Sequence, residues 1–420
     1  MKFVIHTLGC KTNQYDSQAM TDALLRAGWE QGEPADLAIV NTCTVTAEAD
    51  RKCRQVIRQA RERAGHVIVT GCYAQRDPET LSRELDVDFV LGHHERAEIA
   101  AWAERAVGGE KGVAVTELGR VFAPVRIDSP GEHTRANLKV QDGCENFCTY
   151  CIIPRARGPV RSRDLAETVE EAARLARLGV KELVLTGIHL ASYGRDWGGK
   201  PGLIDLMEAL DAVPGVERIR LGSLEPVLVT EDFCARIRKM RHLCPQFHLA
   251  LQSGCDATLK RMGRRYTTAE FELAARRIRE ALPEAMLTTD VIVGFPGESR
   301  EEFEASLAFV EKIAFGRIHV FPYSVREGTA AARMKQTVSR AEKHERAQRM
   351  IALGQRLARE AEQAVLGTVR PVLVEEDETG YTDTYLKVRV PGGRMGEICM
   401  VRLIRADQEE ILGEKQEENP

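Results

Sequence analysis

Short apolar runs recur along the middle of the chain, and stretches with helical periodicity separate each run from the next. This alternation favours parallel strands joined by helical crossovers, because parallel neighbours cannot be connected by a tight turn. Each run is followed by glycine, serine or a polar cluster, which predicts a parallel barrel or partial barrel with candidate site residues on the rim where the strands end. The six runs are 137–140, 183–185, 219–221, 248–251, 291–293 and 318–321.

The chain has 420 residues, which is too long for one ordinary hydrophobic core, so we expect several domains. Residues 1–112 repeat the same alternation and predict a doubly wound parallel α/β domain. Its apolar runs are 3–6, 37–40, 67–69 and 88–91.

Three further segments complete the predicted organisation. Residues 113–133 carry Pro124 and Pro130 and are predicted to be a linker. The predicted partial barrel occupies residues 134–365. Residues 366–420 change to a period of two residues, which predicts a small all-β barrel.

Composition narrows the class of protein. The formal net charge is −4, so charge alone does not indicate a nucleic-acid partner. No run of 18 apolar residues occurs, and the first apolar stretch is short, so we expect a cytoplasmic protein without a membrane segment. In such a reducing compartment the 11 cysteines favour metal binding or catalysis over disulfides.

Six cysteines form two candidate sites. Cys144, Cys148 and Cys151 form a CxxxCxxC motif just after the first barrel strand, and three thiolates from one loop leave a fourth metal position open for substrate. A zinc site completed by a distant ligand is the alternative. The aromatic residues of this motif, Phe147 and Tyr150, are predicted to shield a bound group or to pack in the core. In the N-terminal domain, cysteines follow three of the predicted strands: Cys10, Cys43 and Cys72.

These motifs resemble those of a known family. CENFCTYCIIPRARG and VGFPGE are similar to motifs of the radical S-adenosylmethionine (SAM) superfamily. Together with TLGCKTNQYDS, NTCTVTAEAD and VTGCYAQ, they resemble the methylthiotransferases over almost the whole chain. The resemblance implies an N-terminal domain with an auxiliary 4Fe-4S cluster, a radical SAM partial barrel and a C-terminal TRAM domain. It also implies that Cys10, Cys43 and Cys72 hold the auxiliary cluster and that the CxxxCxxC cysteines hold the SAM-binding cluster.

Further rim residues resemble the family's SAM-binding stretches, which lie at 186–189, 251–254 and 291–298. In these stretches glycine permits close approach of the backbone to a ligand. Two carboxylates there are predicted to bind cofactor or move a proton, or alternatively to act as caps or hydrogen-bond anchors. The candidate cofactor-binding residues are Phe147, Tyr150, Gly187, Gln252, Ser253, Asp290, Gly294 and Glu298.

The opening TLGCKTNQY and the following NTCTVT are most similar to the branch that acts on N6-threonylcarbamoyladenosine beside the anticodon of tRNA. That resemblance implies transfer of a methylthio group to C2 of the base, a carbon that needs radical chemistry because its C–H bond offers no handle for acid and base catalysis. The alternatives are the same chemistry on isopentenyladenosine tRNA or on a ribosomal-protein aspartate. An alternative of another class is a non-catalytic, zinc-bearing RNA-binding protein.

The implied partners are the anticodon stem-loop of tRNA and an electron donor such as flavodoxin or ferredoxin. Basic and aromatic residues alternate in the C-terminal segment, and basic residues also follow the CxxxCxxC motif. Cations can contact RNA phosphates, and aromatic rings can stack on RNA bases. Solvated surface residues give the same pattern. The candidate RNA-binding residues are Arg155, Arg157, Tyr381, Tyr385, Lys387 and Arg389.

Overall fold

The N-terminal part is a parallel sheet with helices on both faces. The computed structural model describes residues 1–123, 125–129, 131, 134–407 and 410–416. Its first six strands are all parallel and lie in the order β2-β1-β3-β4-β5-β6. The strands are β1 (Lys2–Thr7), β2 (Glu30–Gln31), β3 (Leu37–Thr42), β4 (His66–Gly71), β5 (Phe89–Leu91) and β6 (Gly112–Ala114).

Alternate residues of the central strands enter two different cores. Leu37 and Ile39 face one core, whereas Ala38 and Val40 face the other. A strand covered on both faces must be apolar at every position, which explains the unbroken apolar run that the sequence shows. The covering helices are α1 (Lys11–Arg26), α2 (Ala47–Arg63), α3 (Cys72–Arg76), α4 (Pro78–Glu84) and α5 (Ile99–Val107). The predicted doubly wound sheet is therefore confirmed.

The segment predicted as a linker is packed against its surroundings. Strand β6 extends the sheet to Ala114, and Val125 and Ile127 are buried in the core of the central domain. The Tyr15 hydroxyl donates to the carbonyl oxygen of Val125 at 3.1 Å. Pro124 and Pro130, on which the linker prediction rests, lie outside the described residues. The predicted domain boundaries stay a prediction.

The central part is a partial barrel whose paired strands run parallel, and it confirms the prediction from the six apolar runs. The barrel consists of two sheets, with the strand orders β11-β10-β7 and β12-β13-β14-β15. Strand β12 comes directly after β11 in the chain and so connects the second sheet to the first. The strands are β7 (Arg135–Lys139), β10 (Glu182–Thr186), β11 (Arg218–Leu221), β12 (Ser223–Leu224), β13 (Gln246–Leu249), β14 (Met286–Val293) and β15 (Arg317–Pro322).

A small antiparallel hairpin interrupts the barrel pattern after its first strand. It pairs β8 (Gln141–Asp142) with β9 (Arg161–Ser162), and the CxxxCxxC loop lies between them. The helices of this part are α6 (Ile153–Arg157), α7 (Leu165–Arg177), α8 (Leu203–Asp211), α9 (Glu231–Ile237), α10 (Asp256–Met262), α11 (Thr268–Ala281), α12 (Arg300–Ile313) and α13 (Arg340–Ala364).

The C-terminal part is a closed five-stranded barrel in the order β16-β17-β18-β20-β19, which confirms the all-β prediction. Its interior is apolar, and the strands expose alternate residues. Among the described residues, no helix is long and apolar enough to span a membrane. The strands are β16 (Val369–Glu376), β17 (Thr379–Thr382), β18 (Lys387–Arg389), β19 (Ile398–Ala406) and β20 (Ile411–Lys415).

Candidate iron-sulfur centres

The three N-terminal cysteines lie at the carboxyl ends of three adjacent parallel strands. Cys10 follows β1 and precedes the first residue of α1, Cys43 follows β3, and Cys72 begins α3 directly after β4. Strands β1, β3 and β4 are neighbours in the sheet. The topology therefore gathers at one sheet edge three residues that are far apart in the sequence.

The backbone before Cys72 is shaped by a glycine. Gly71 has a φ of +95°, and a Cβ atom at this position would lie 2.5 Å from the carbonyl oxygen of Thr42. Only glycine combines this conformation with so close an approach. The Thr42 hydroxyl accepts the backbone N–H of Tyr73 at 3.2 Å, which fixes the first turn of α3.

The thiols of this trio are close enough to influence one another. Burial raises the pKa of Cys72 to about 11, and the charges of Cys10 and Cys43 act in the same direction. Burial also raises the pKa of Cys43, with a further contribution from Cys10. Because a cysteine must lose its proton to ligate iron, binding of a cluster here would be coupled to the release of these protons.

A buried network of charged side chains lies behind the trio. Four of its cations are at most a few per cent exposed, and among the described residues only two carboxylates, Asp16 and Asp142, pair with them. A buried excess of positive charge is costly unless anions lie nearby. The cations are Arg96, Lys139, Arg157 and Arg161.

The residues present fit an anionic cluster bound to the three cysteines. Thiolates ligating such a cluster would balance the excess cations. In addition, Arg96 Nε and Nη1 and both ring nitrogens of His93 are buried without a hydrogen-bond partner among the described residues. Burial holds the pKa of His93 well below its ordinary value, so this ring is neutral and its unpaired N–H is a free donor.

The second trio lies on the loop between β8 and α6. Two backbone hydrogen bonds anchor the middle of this loop, from Thr149 N–H to the Met262 carbonyl at 2.9 Å and from Ala331 N–H to the Thr149 carbonyl at 2.7 Å. Burial raises the pKa of Cys144 to about 11 and that of Cys151 to about 12, and in both cases the charge of Cys148 adds to the shift. These three thiols are therefore also gathered in one place.

One arginine and one glutamate connect this loop to the neighbouring strand ends. Arg264 Nη1 donates to Cys148 Sγ at 3.3 Å, and Arg264 Nη2 lies 2.9 Å from a carboxylate oxygen of Glu225. Glu225 also accepts from the Asn146 side chain at 3.1 Å and lies 3.0 Å from His189 Nε2. Sequence reasoning missed Arg264, Glu225 and Asn146, because no local motif marks contacts between segments so distant in the chain.

No group of three or more His, Cys, Asp and Glu residues in the described ranges is arranged to hold a single metal ion. A four-iron cluster is a larger body than one ion and requires its cysteine sulfurs to be further apart. The finding therefore concerns single ions only, and both trios are candidate cluster sites.

The predicted aromatic residues of the loop differ in their surroundings. The Tyr150 ring packs edge-on against Phe295 with ring centroids 6.4 Å apart, in an apolar cluster that includes Met262 and Tyr323. Phe147 has a positive φ, and its side chain is 67% exposed. Tyr150 thus packs in the core, whereas Phe147 is free to contact a bound molecule.

The predicted cofactor-binding residues of the rim lie at neighbouring strand ends. Gly187 follows β10, where a Cβ atom would come within 3.0 Å of Gln141. Gln252 and Ser253 follow β13, and the Gln252 backbone bonds to Asp290 and Ile292 of β14. These residues therefore follow the carboxyl ends of parallel strands, as does the cysteine loop, which comes after β7.

The two predicted carboxylates are both paired. Asp290 lies 3.3 Å from His248 Nε2, and both side chains are partly exposed. Glu298 is buried, accepts the Gly294 N–H at 2.6 Å and lies 2.6 Å from Arg346. Glu298 is therefore a hydrogen-bond anchor, one of the roles that the sequence left open. Its contacts hold the loop after β14.

Three of the predicted RNA-binding residues contact other groups of the protein. Arg157 is 0% exposed and donates from Nε to Cys72 Sγ at 3.1 Å, so the prediction that it contacts RNA phosphate is wrong. Tyr381 and Tyr385 stack on each other with centroids 4.9 Å apart, and the Arg135 guanidinium lies 5.3 Å from each ring. These contacts connect the C-terminal barrel with the central domain. Both tyrosines are partly exposed, and their role in base stacking stays a prediction.

The remaining three candidate RNA-binding residues are on the surface. Arg155 is exposed on α6, beside the cysteine loop. Lys387 and Arg389 are exposed on β18 of the C-terminal barrel. These three cations are available to meet a polyanion.

The comparisons define the class of protein. Residues 138–310 match the model of the Radical SAM superfamily, and residues 2–92 match Uncharacterized protein family UPF0004. A solved radical SAM methyltransferase, TsrM from Kitasatospora setae, shares the fold with a TM-score of 0.57 and 16% identity over 76% of this chain and 72% of that one. The cobalamin-dependent radical enzyme OxsB aligns with a TM-score of 0.50 and 14% identity over 79% of this chain and 54% of that one. The fold and the CxxxCxxC loop are those of a radical SAM enzyme.

Relatives of similar length narrow this class. The protein named threonylcarbamoyladenosine tRNA methylthiotransferase MtaB in Bacillus subtilis is 40% identical over 96% of this chain and 93% of that protein. Its namesake in Thermotoga maritima is 37% identical over 97% of this chain and 95% of that protein. A tRNA-2-methylthio-N(6)-dimethylallyladenosine synthase of Natranaerobius thermophilus is 33% identical over 98% of this chain and 96% of that protein. The chain belongs to the radical SAM methylthiotransferase family.

Proposed function

We propose that this protein adds a methylthio group to C2 of N6-threonylcarbamoyladenosine beside the anticodon of tRNA. The observation that carries the proposal is the gathering of cysteines into two separate trios. Arg157, six residues after Cys151 of one trio, donates to Cys72 of the other at 3.1 Å. Two trios meet the needs of a reaction that uses SAM twice, once as a methyl donor and once as a radical source. The names of the Bacillus and Thermotoga relatives support the choice of nucleoside.

The proposal assigns a different task to each trio. Cys144, Cys148 and Cys151 would hold a 4Fe-4S cluster with an open position for the amino and carboxylate groups of SAM, and Cys10, Cys43 and Cys72 would hold the second cluster at the site of sulfur transfer. When bound, the first cluster supplies the electron that cleaves SAM. The sequence resemblance to the family supports both assignments.

Several side chains of the chain would prepare the SAM site. Arg264 stabilises negative charge on Cys148 through a charge-assisted hydrogen bond. Asn146, whose side-chain N–H donates to Glu225 at 3.1 Å, fixes the loop between the first two cysteines. Because Phe147 is exposed beside these groups, it is placed to contact the cofactor or the base.

Binding of tRNA would use exposed cations. Arg155 lies beside the cysteine loop, and Lys387 and Arg389 lie on the C-terminal barrel. Cations of this kind position a nucleic acid through its phosphates without reading sequence. We infer a cytoplasmic enzyme that receives its electrons from a protein such as flavodoxin or ferredoxin.

The test is an anaerobic reaction of the cluster-loaded protein with two synthetic anticodon stem-loops. One carries N6-threonylcarbamoyladenosine and the other isopentenyladenosine, and mass spectrometry of the nucleosides detects the gain of a methylthio group. The proposal predicts product from the first RNA only and none from the Cys144→Ala protein. Modification of the isopentenyl RNA alone would assign the protein to the other tRNA branch, and modification of neither RNA would contradict a tRNA substrate of this kind.

A further inference from the structure

Arg157 is a fully buried side chain that lies near both cysteine trios. It ends α6, six residues after Cys151, and its guanidinium reaches the N-terminal domain. There its Nε donates to Cys72 Sγ at 3.1 Å. A single side chain therefore joins the loop of the second trio to a cysteine of the first.

The guanidinium is fixed by partners from both domains. Nη1 donates to the two carboxylate oxygens of Asp142 at 3.0 and 3.2 Å, and Nη2 donates to the side-chain oxygen of Asn13. Asp16 lies 3.4 Å from Nη1. Because the planar guanidinium has donors in a rigid fork, these contacts hold Nε in the direction of the sulfur.

Such a contact has a definite electrostatic effect on a bound cluster. Hydrogen bonds to the sulfurs, nearby positive charge and low solvent exposure all influence the reduction potential of an iron-sulfur cluster. A hydrogen bond to a cluster sulfur and a nearby positive charge both stabilise the reduced cluster, which is the more negative form, and so raise its reduction potential. Arg157 provides both, and its 0% exposure excludes screening by water.

We propose that Arg157 is a positioning residue that raises the reduction potential of the cluster on Cys10, Cys43 and Cys72 and holds that cluster against the SAM-binding loop. The proposal rests on the proposed function only in that both require a cluster on these cysteines. It does not depend on which nucleoside or protein is modified.

The chain offers a matched control. Arg326 is also buried and also crosses between the domains, where it pairs with Asp50 at 2.7 Å and with the Thr44 hydroxyl. No cysteine sulfur is among its hydrogen-bond partners in the described part of the chain. Replacing Arg326 therefore removes a buried charge and an interdomain ion pair, while the bond to Cys72 remains.

The experiment is a redox titration of the full chain followed by electron paramagnetic resonance. The background protein carries Cys144→Ala, Cys148→Ala and Cys151→Ala, so that only the N-terminal cluster contributes to the signal. Dithionite donates one electron to each cluster and is itself oxidised to sulfite. Arg157→Gln, Arg157→Lys and Arg326→Gln are compared in this background.

Arg157→Gln is expected to be harder to reduce. At a fixed potential, its ratio of reduced to oxidised cluster should fall about tenfold, which corresponds to about 59 mV for one electron. Arg157→Lys keeps a positive charge but lacks the forked guanidinium, so its reduction potential should lie between those of Arg157→Gln and the background protein. Arg326→Gln should have the reduction potential of the background protein. Equal potentials for Arg157→Gln and the background protein, or an equal shift in Arg326→Gln, would overturn the proposal.

A second measurement needs no replacement of Arg157. The same background protein is labelled with ¹⁵N-arginine and its reduced cluster is studied by pulsed electron paramagnetic resonance. A hydrogen bond from Nε to a ligating sulfur predicts a ¹⁵N hyperfine coupling that Arg326→Gln retains. Absence of that coupling from a cluster-loaded protein contradicts the proposal even if the Arg157 variants fail to fold. Failure to modify tRNA, in contrast, would affect only the proposed function.

Discussion

The guanidinium of Arg264 donates a hydrogen bond from Nη1 to Cys148 Sγ at 3.3 Å. The same guanidinium lies 2.9 Å from Glu225, which follows a different strand. In the N-terminal domain, Arg157 has the same relationship to Cys72. In the described part of the chain, each cysteine trio thus has one sulfur that accepts a hydrogen bond from an arginine paired with a carboxylate.

Glu225 makes the stability of the chain dependent on pH. Burial alone raises a carboxyl pKa, but the hydrogen bond from His189 and the charge of Arg264 outweigh it and lower the pKa of Glu225 to about 2. A pKa below the unfolded value of about 4.3 stabilises the folded chain above that pH, and this stabilisation is lost as the pH falls towards 2. The contribution at pH 7 is at most about 3 kcal/mol.

Glu225→Gln is therefore expected to be less stable than the unmodified chain at pH 7, and the difference should shrink as the pH falls from 5 to 3. Denaturant unfolding of the two metal-free chains across this range measures it. A difference that is constant with pH would show that the Glu225 carboxylate is not held in its charged form by these partners.

Cys10→Ala and Cys144→Ala are expected to abolish the methylthio product in different ways. Without Cys144 the SAM site is incomplete, so formation of 5′-deoxyadenosine should fall to background. Without Cys10 the SAM site is intact, and 5′-deoxyadenosine should still form without transfer of sulfur. Chromatography of SAM cleavage products distinguishes the variants, and cleavage that survives in Cys144→Ala would falsify the assignment of the SAM site.

Gly71→Ala is expected to disturb the N-terminal site. The added Cβ would lie 2.5 Å from the Thr42 carbonyl oxygen in a backbone with a φ of +95°, so the free energy of unfolding should fall by about 3 kcal/mol. Gly28→Ala is the control, because Gly28 has a φ of +84° but nothing within 4 Å, and it should cost only about 1 kcal/mol. Equal losses of stability in the two variants, measured by denaturant unfolding, would show that the contact with Thr42 does not matter.

Tyr385→Ala is expected to loosen the C-terminal barrel. The ring lies 4.7 Å from the Arg220 guanidinium and 5.3 Å from that of Arg135, both in the central domain, and loss of both contacts should weaken docking by about 2 kcal/mol. Limited proteolysis should then release the barrel faster than in the unmodified chain. Release at an unchanged rate would contradict a docking role for Tyr385.

Lys387→Ala and Arg389→Ala are expected to weaken tRNA binding without affecting this docking. Each lost phosphate contact should reduce the slope of log affinity against log salt by roughly 0.7 to 0.9. Binding measured at several salt concentrations, together with the same proteolysis, separates the two effects. Unchanged salt dependence in both variants would indicate that β18 does not contact phosphate.

Much of the architecture could be predicted from local pattern. The six apolar runs of the central domain all became strands, and the buried two-sided sheet explains runs such as 37–40. Strand ends in a parallel sheet lie on one edge, so the convergence of Cys10, Cys43 and Cys72 follows from topology alone. Charge and aromatic patterns were less informative. Arg157 has the sequence surroundings of a surface arginine, and its burial depends on Asp142 and on Asn13 and Asp16 from another domain.

The same limit applies to Tyr381 and Tyr385. Their alternation with basic residues is typical of an RNA-binding strand, yet their partners Arg135 and Arg220 lie more than 150 residues earlier in the chain. No local rule identifies such pairs, because they exist only after two domains have docked. The strand β6 could not be predicted for a different reason, since its three residues are too few to show a hydrophobic period.

Iron and sulfide counts after anaerobic reconstitution test the two-cluster arrangement most directly. About eight irons per chain, falling to about four in a chain that carries Cys10→Ala, Cys43→Ala and Cys72→Ala, are expected if each trio holds one 4Fe-4S cluster. Equal iron content in the two chains would contradict a cluster on the N-terminal trio, and zinc without iron or sulfide would contradict both centres.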